Sequence, residues 1–332
     1  MLKKIQELQQ RVLTVNEATF TELALDIFRF QAQHNNVYAQ YLAALRISWQ
    51  EVQSLSDIPY LPIRFFKSHT VQSGNWPAAQ VFESSSTTGT GISRHHFPET
   101  SFYNQLAVAG YRQLVGNLEN TAVFALLPNY LERANSSLVS MAEHFIKQSQ
   151  APYGGFFLYD TESLTQQVNA ARQAGYAVLL LGVSFALLDF AEQQPVTWPE
   201  VLVMETGGMK GRRQEITRAE LHARLAAGFG VEAVASEYGM TELTSQAYAR
   251  QAGVFSCPPW MRVRVREIND PFTFLPPGRT GGLNVIDLGN VHSCSFIETE
   301  DLAIMEPQGT FRVLGRYDMA EARGCNLMVA NL

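Results

Sequence analysis

From residue 100 to residue 235 the chain repeats one order, a helix-spaced apolar segment followed by a short apolar run, and this alternation constrains the fold more than any other feature. Helices are predicted near 100–115, 134–148, 161–174, 184–193 and 217–227. Strands are predicted at Ala122–Leu127, Pro152–Leu158, Ala177–Gly182, Val201–Glu205 and Val231–Ala235. Strands alternating with helices of 10–15 residues join by crossovers. The expected class is therefore α/β, a large mixed or parallel sheet with helices on both faces. Such sheets bind ligands in the loops at the carboxyl ends of their strands. The longest apolar run, Ala177 to Leu188, contains Ser184 and ends at Asp189. A membrane span needs about 20 apolar residues, so the run reads as a buried strand turning into a helix.

The flanks differ. Residues 1–50 carry Phe20, Leu23, Ile27, Phe28, Tyr38, Tyr41, Leu42 and Leu45 at helical spacing, a helical lead-in. Pro59 and Pro62 then predict an extended apolar segment through Lys67. From about Arg262 the pattern turns to short strands with Pro/Gly turns at Pro271, Pro276-Pro277-Gly278, Gly281-Gly282 and Gly309, which predicts a smaller β-rich C-terminal subdomain. The expected divisions are a lead-in at 1–50, an α/β core at 51–261, a β-rich subdomain at 262–315 and a short tail at 316–332 carrying Cys325. A net charge of −6 without a long Lys/Arg run argues against nucleic acid or an anionic membrane as the main partner. Three cysteines in 332 residues make no disulfide framework, and the first ten residues lack an apolar signal core. Both fit a cytoplasmic protein.

The chemistry concentrates in a few segments. In Ser84-Ser85-Ser86-Thr87-Thr88-Gly89-Thr90-Gly91, hydroxyls run into glycines and then Arg94, His95 and His96. Hydroxyls and close-approaching backbone N–H groups cradle phosphate oxygens, and Arg94 adds a fork of donors. The same composition also makes a solvated linker. No G-x-x-x-x-G-K-[ST] occurs, and Gly89 and Gly91 lack the third glycine of a dinucleotide fingerprint. Glu205-Thr206-Gly207-Gly208-Met209-Lys210 lies at a strand end, with glycines against which a flat ligand can lie and Lys210 for phosphate. Ser236 to Glu242 is expected to follow a strand, offering the Tyr238 ring to a base and the Glu242 carboxylate to a metal. Tyr238 and Glu242 at this spacing are equally a packing and capping pair on a helix. Cys257, His292 and Cys294 are a weak zinc set without C-x-x-C spacing. Trp260 reads as core packing.

Ser84-Ser85-Ser86-Thr87-Thr88-Gly89, Tyr238-Gly239-Met240-Thr241-Glu242, Glu298 to Ala303 and Gly315-Arg316-Tyr317-Asp318, in that order, resemble the core motifs of the acyl-adenylate-forming enzymes. Leu61 to Lys67, Gly207-Gly208-Met209-Lys210 and Arg323-Gly324-Cys325 resemble the acyl-protein synthetase (LuxE-type) branch, close to phenylacetate-CoA ligases. The resemblance runs from about residue 55 to the end. It implies that Ser84, Ser85, Thr87, Thr88 and Gly89 grip the phosphates of ATP, with Tyr238, Gly239 and Thr241 beside adenine. Glu242 is implied to hold Mg²⁺, and Asp301 and Arg316 the ribose. Ser86 stands where the family usually has glycine. The mobile C-terminal domain of larger relatives, with its catalytic lysine, is expected to be absent, which leaves Lys210, Arg94 or a partner's group to neutralise the phosphate.

The function that follows is ATP-dependent activation of a carboxylic acid, with a fatty acid expected, as acyl-AMP. The acyl group then passes to Cys325 and on to a reductase partner. The roughly nine residues from Arg316 to Cys325 reach about 30 Å when extended, and Arg323 would lower the thiol pKa. Two alternatives are an acyl- or aryl-CoA ligase using coenzyme A, and a non-catalytic nucleotide- or acyl-binding subunit of a reductase complex. An oligomer is compatible with each.

Overall fold

The computed structural model of the chain describes residues 1–84, 91–128, 135–209, 213, 214 and 216–317. The lead-in forms three helices, α1 (Leu2–Leu13), α2 (Phe20–His34) and α3 (Asn36–Ala44). α1 buries Ile5, Leu8 and Val12, one helical stripe. The Asn35 amide oxygen caps α3 by accepting from Tyr38 N at 3.1 Å. The segment after Pro59 is extended only over β1 (Leu61–Pro62) and then becomes α4 (Phe65–Ser68). A proline restrains the residue before it, not those that follow, so the helix forms as soon as Pro62 is passed.

The alternation that follows is realised almost element for element. A hairpin of β2 (Gln80–Glu83) and β3 (Arg94–Phe97) precedes α5 (Ser101–Leu114). Next come β4 (Thr121–Leu126), α6 (Ser137–Gln148), β5 (Gly154–Phe157), α7 (Thr161–Gln173), β6 (Ala177–Val183) and α8 (Ser184–Gln193). β7 (Leu202–Thr206), α9 (Arg218–Phe229), β8 (Ala235–Tyr238) and β9 (Ala247–Ala249) complete this part. The six strands make one sheet in the order β5-β4-β6-β7-β8-β9, parallel except for β9. β4 is buried at every residue and β6 at all but the first, as strands covered on both faces must be. The apolar run from Ala177 changes from strand to helix at Ser184.

One strand lies further along than expected. Gly230, left-handed at φ 65°, ends α9. The helix end is tied to the segment before β7 by Val196 N to Gly228 O and Trp198 N to Phe229 O, each 2.8 Å. The chain then runs through residues 231–234 before Ala235 pairs with Met204. Ser236, Glu237 and Tyr238 are therefore in the strand and do not follow it.

The last strands, β10 (Met261–Arg266), β11 (Thr280–Asp287), β12 (Phe296–Met305) and β13 (Phe311–Arg316), form an antiparallel sheet, with β1 added parallel to β12. The chain divides into two compact units. One joins Met1–Phe65, Val71–Gly74 and the chain from Pro259; the other holds Phe66–Thr70 and Asn75–Pro258. In the first, the rings of Phe28, Tyr38 and Tyr60 surround Phe296 of β12 at 6.0, 6.4 and 6.4 Å. In the second, Phe124, Phe145, Leu180, Trp198 and Phe229 belong to one buried core. Among the described residues no helix is long and apolar enough to cross a membrane.

Candidate functional site

The hydroxyl-rich stretch is the connection of the β2–β3 hairpin. Its ladder continues past Glu83–Arg94: Ser84 N donates to Ser93 O and Ser93 N donates to Ser84 Oγ, both at 3.0 Å. Ser84 thus fixes the mouth of the connection. Ser85, Thr87, Thr88 and Gly89 lie outside the described residues. Arg94 Nε sits 3.0 Å from Glu83 Oε1 on a half-exposed pair, so its charge is already shared. Gly91 has φ 89°, a conformation that glycine adopts without strain. A Cβ placed there would lie 3.9 Å from Lys67 Cβ. α4 therefore roots the Lys67 side chain beside the glycine end of the connection, a role that the sequence reading had not assigned.

The carboxyl end of β7 supplies the second segment. Gly207 turns the chain at φ 70°, and the space around Gly208 is open. Lys210 lies outside the described residues. Beneath the turn Glu205, 2 % exposed, is held by several donors. Ser184 Oγ lies 3.0 Å from both Glu205 Oε2 and the Gly207 carbonyl oxygen. Arg218 Nε and His222 Nε2 approach Glu205 Oε1 at 3.3 and 3.4 Å, and Ser236 Oγ is 3.2 Å from His222. Burial works against the Glu205 carboxylate, but His222, Arg218 and Ser236 outweigh it and hold its pKa below the usual value. A buried charge so compensated fixes the start of the glycine turn.

β8 supplies the third. Thr206 Oγ1 donates to Glu237 Oε2 across the β7–β8 pair. A Cβ at Gly239 would overlap Glu237 Oε1, so the carboxylate folds back into the space that the missing side chain leaves. The Tyr238 ring is mostly covered and meets Phe255 edge-on at 5.9 Å. Glu242 is buried. His95 of β3 donates from Nδ1 to the Thr241 carbonyl oxygen at 2.9 Å. The hairpin carrying the hydroxyl stretch and the Tyr238–Glu242 segment, some 150 residues apart in sequence, are thereby joined directly.

Asp301 and Arg316 belong to the other compact unit. They are cross-strand partners on β12 and β13, with Arg316 Nε 3.4 Å from Asp301 Oδ1. Asp301 is buried and Arg316 exposed. Asp301 N also donates to Thr299 Oγ1 at 3.2 Å, which orients the strand at this point. Of the three cysteines, Cys325 lies outside the described residues. Cys294 is buried, its thiol donating to Phe296 O at 3.4 Å, and burial pushes its pKa up to about 12. Among the described residues no three His, Cys, Asp or Glu side chains gather as a metal site, so Cys257, His292 and Cys294 do not form one.

Lys67, Glu205, Thr206 and Glu237 stand in segments that the sequence had singled out, but with no role of their own; His222 and Arg218 are new, as are the contacts that join these side chains. One signal for them existed: Glu205 and Glu237 each interrupt apolar strand sequence at its carboxyl end, where perturbed charges gather at functional sites.

No protein-family model and no curated protein matches the chain. Solved structures do. A 2-hydroxyisobutyryl-CoA ligase in complex with 2-HIB-AMP and CoA superimposes with a TM-score of 0.67 at 14 % identity, over 93 % of this chain and 78 % of that one. ATP-bound MatB from Rhodopseudomonas palustris gives 0.52 at 18 % identity, over 72 % and 48 %. The AMP complex of the O-succinylbenzoate coenzyme A synthetase MenE from Bacillus subtilis gives 0.52 at 15 %, over 72 % and 50 %. This chain spans about half the length of MatB and MenE. The α/β architecture derived above is thus the fold that these three structures share over most of the present chain.

Proposed function

We propose that the chain binds ATP and activates a carboxylic acid, a fatty acid by the motif resemblance, as an acyl adenylate with release of pyrophosphate. The observation that carries this reading is the bond from His95 to the Thr241 carbonyl, which unites the hydroxyl-rich hairpin with the Tyr238–Glu242 segment. A hydroxyl-rich loop able to take phosphate, joined to a segment bearing a carboxylate able to take Mg²⁺, is the pairing that a nucleoside polyphosphate requires. The fold likeness to ligases bound to ATP or AMP supports it. A carboxylate is a poor electrophile until one oxygen becomes part of a good leaving group. Ser84, Ser85, Thr87, Thr88 and Gly89 hold the phosphates, and Lys67, Lys210 and Arg94 are the cations available as charge builds on them. Gly207 and Gly208 leave a flat face for the base beside Tyr238, Gly239 and Thr241. Asp301 and Arg316 take the ribose.

Mg²⁺ fits this donor set. It keeps most of its water and needs one or two carboxylates plus substrate phosphates, and Glu242 provides a single buried carboxylate near the nucleotide segment. Glu242 would hold the ion, which would there neutralise phosphate charge. The acyl group then passes to Cys325 as a thioester, by thiolate attack on the mixed anhydride with AMP leaving, and onward to a reductase. A second reading, coenzyme A as acceptor, is favoured by the CoA in the 2-hydroxyisobutyryl-CoA ligase complex.

One experiment tests both. The protein is incubated with ATP, Mg²⁺ and a panel of carboxylic acids, with and without CoA, while acid-dependent pyrophosphate exchange and intact mass are followed. Exchange with an acyl adduct lost in Cys325→Ser is expected. Exchange with free acyl-CoA and no adduct transfers the assignment to the second reading, and nucleotide binding without exchange overturns both.

A further inference from the structure

The face of the first unit's sheet that carries Arg262, Arg264 and Arg266 holds a concentration of unmet hydrogen-bonding capacity. These three alternate along β10 with Val263 and Val265, so all point to one side. Arg262 is paired with Glu17 at 2.8 Å and lies over the Phe20 ring. Arg266, 1 % exposed, reaches across Gly282 of β11, where any Cβ would overlap its Nη1. Its Nη2 donates to Glu298 Oε1 at 2.9 Å, Thr299 O at 3.1 Å and Tyr317 OH at 2.6 Å. Its Nε and Nη1 are buried without a partner.

Arg264, next along the face, has the Phe274 ring at 4.5 Å and a buried, unpartnered Nη1. Directly opposite it on β11 stands Asn284, wholly buried, with neither Nδ2 nor Oδ1 partnered. Burial raises the Tyr60 pKa, against the charge and a hydrogen bond from Arg264, so part of that guanidinium already meets the phenol while its Nη1 does not. Two guanidinium groups thus face one carboxylate, Glu298, which is spent on Arg266. The patch is left with one uncompensated positive charge and more donors than acceptors. Arg264 as a whole is half-buried, but its Nη1 and all of Asn284 are out of solvent; polar groups so placed are costly to leave unmet, and five unpartnered buried atoms around one cross-strand pair are far above the ordinary scatter.

We propose that a monovalent anion, a halide or a small carboxylate, sits at the Arg264–Asn284 pair and takes up the free donors of Arg264, Asn284 and one edge of Arg266. One negative charge balances the patch, whereas water would fill hydrogen bonds and leave the charge uncompensated. The site belongs to the first unit's own sheet and is independent of the nucleotide reading.

The test uses the full chain. Thermal unfolding is measured at constant ionic strength in sodium chloride, bromide, acetate and gluconate, and crystals grown in bromide are examined for anomalous scattering. Chloride and bromide, or acetate, should raise the midpoint by a few degrees over gluconate, saturating as a single site does, with the rise absent in Arg264→Gln. An anomalous peak between Arg264 and Asn284 identifies a halide; its absence together with acetate-specific stabilisation identifies a carboxylate. Equal midpoints in all four salts with no peak overturn the proposal. So does a saturable preference for sulfate or phosphate over every monovalent anion. Should Arg264→Gln fail to fold, the salt series and the bromide map of the unaltered protein decide the matter.

Discussion

His292 is 1 % exposed, and burial pushes its pKa down to about 4 from 6.5. The imidazole is neutral in the folded chain across the mildly acidic range, where Gln9 Nε2 approaches its Nε2 at 3.3 Å. The unfolded chain takes up this proton below pH 6.5 and the folded one only near pH 4, so the unfolded state binds more protons in between. Stability is therefore unaffected by this group above pH 6.5 and falls as pH drops toward 4, in total by about 3 kcal/mol. His292→Gln should flatten unfolding free energy against pH over that window; an unaltered slope would place the titration elsewhere. Cys294 allows a second prediction at the same scale. Its thiol is buried and its pKa raised, and thiolates are the reactive form. Iodoacetamide at pH 8 should leave Cys294 unmodified by mass spectrometry until denaturant is added, and labelling in the native state would contradict its burial.

At the scale of elements, β5 makes an exacting local demand. Gly154 sits at φ 123°, and a Cβ there would lie 2.5 Å from the Val123 carbonyl oxygen on β4. Gly154→Ala should cost about 2–3 kcal/mol, from backbone strain and the enforced separation of two paired strands. A change in denaturation midpoint below a quarter of that would mean that β5 readily shifts. The order of helices and strands from 100 to 230 was legible because each element satisfies its own periodicity. β8 was misplaced because its register is set by β7 and by the anchoring of α9, neither of which is local. α4 was missed because the rule read from Pro62 applies only to the residue before it. Within the site, the glycine turns and hydroxyl stretch could be read from backbone chemistry. The Glu205 network and the rooting of Lys67 beside Gly91 could not, since each depends on strands or loops brought together by the fold.

For the whole molecule, the first compact unit is built from the two ends of the described chain, and sequence reading had no means to pair them. Gln31 on α2 is the clearest tie. Wholly buried, its amide donates to Asn290 O at 2.9 Å and Ser295 Oγ at 3.1 Å, and accepts from Ser295 N at 2.9 Å. Asn35 adds a bond to Ser293 O at 2.9 Å, and Phe28 packs on Phe296. α2 therefore completes the hydrogen bonding of the turn that leads into β12, and a leucine at position 31 would fill the volume while stranding the Ser295 N–H and removing one donor each from Ser295 Oγ and from the Asn290 carbonyl, which also accepts from Ser293 N at 3.0 Å. Leaving buried groups unmet costs about 1–3 kcal/mol each, so Gln31→Leu should destabilise by about 2–4 kcal/mol. Hydrogen exchange separates this account from a local one. If the lead-in helices and the C-terminal sheet share one core, the amides of α2 and β12 lose protection together in the variant. If β12 keeps its protection while α2 alone exchanges faster, the helices are an appendage and the unit is not the cooperative body that its contacts describe.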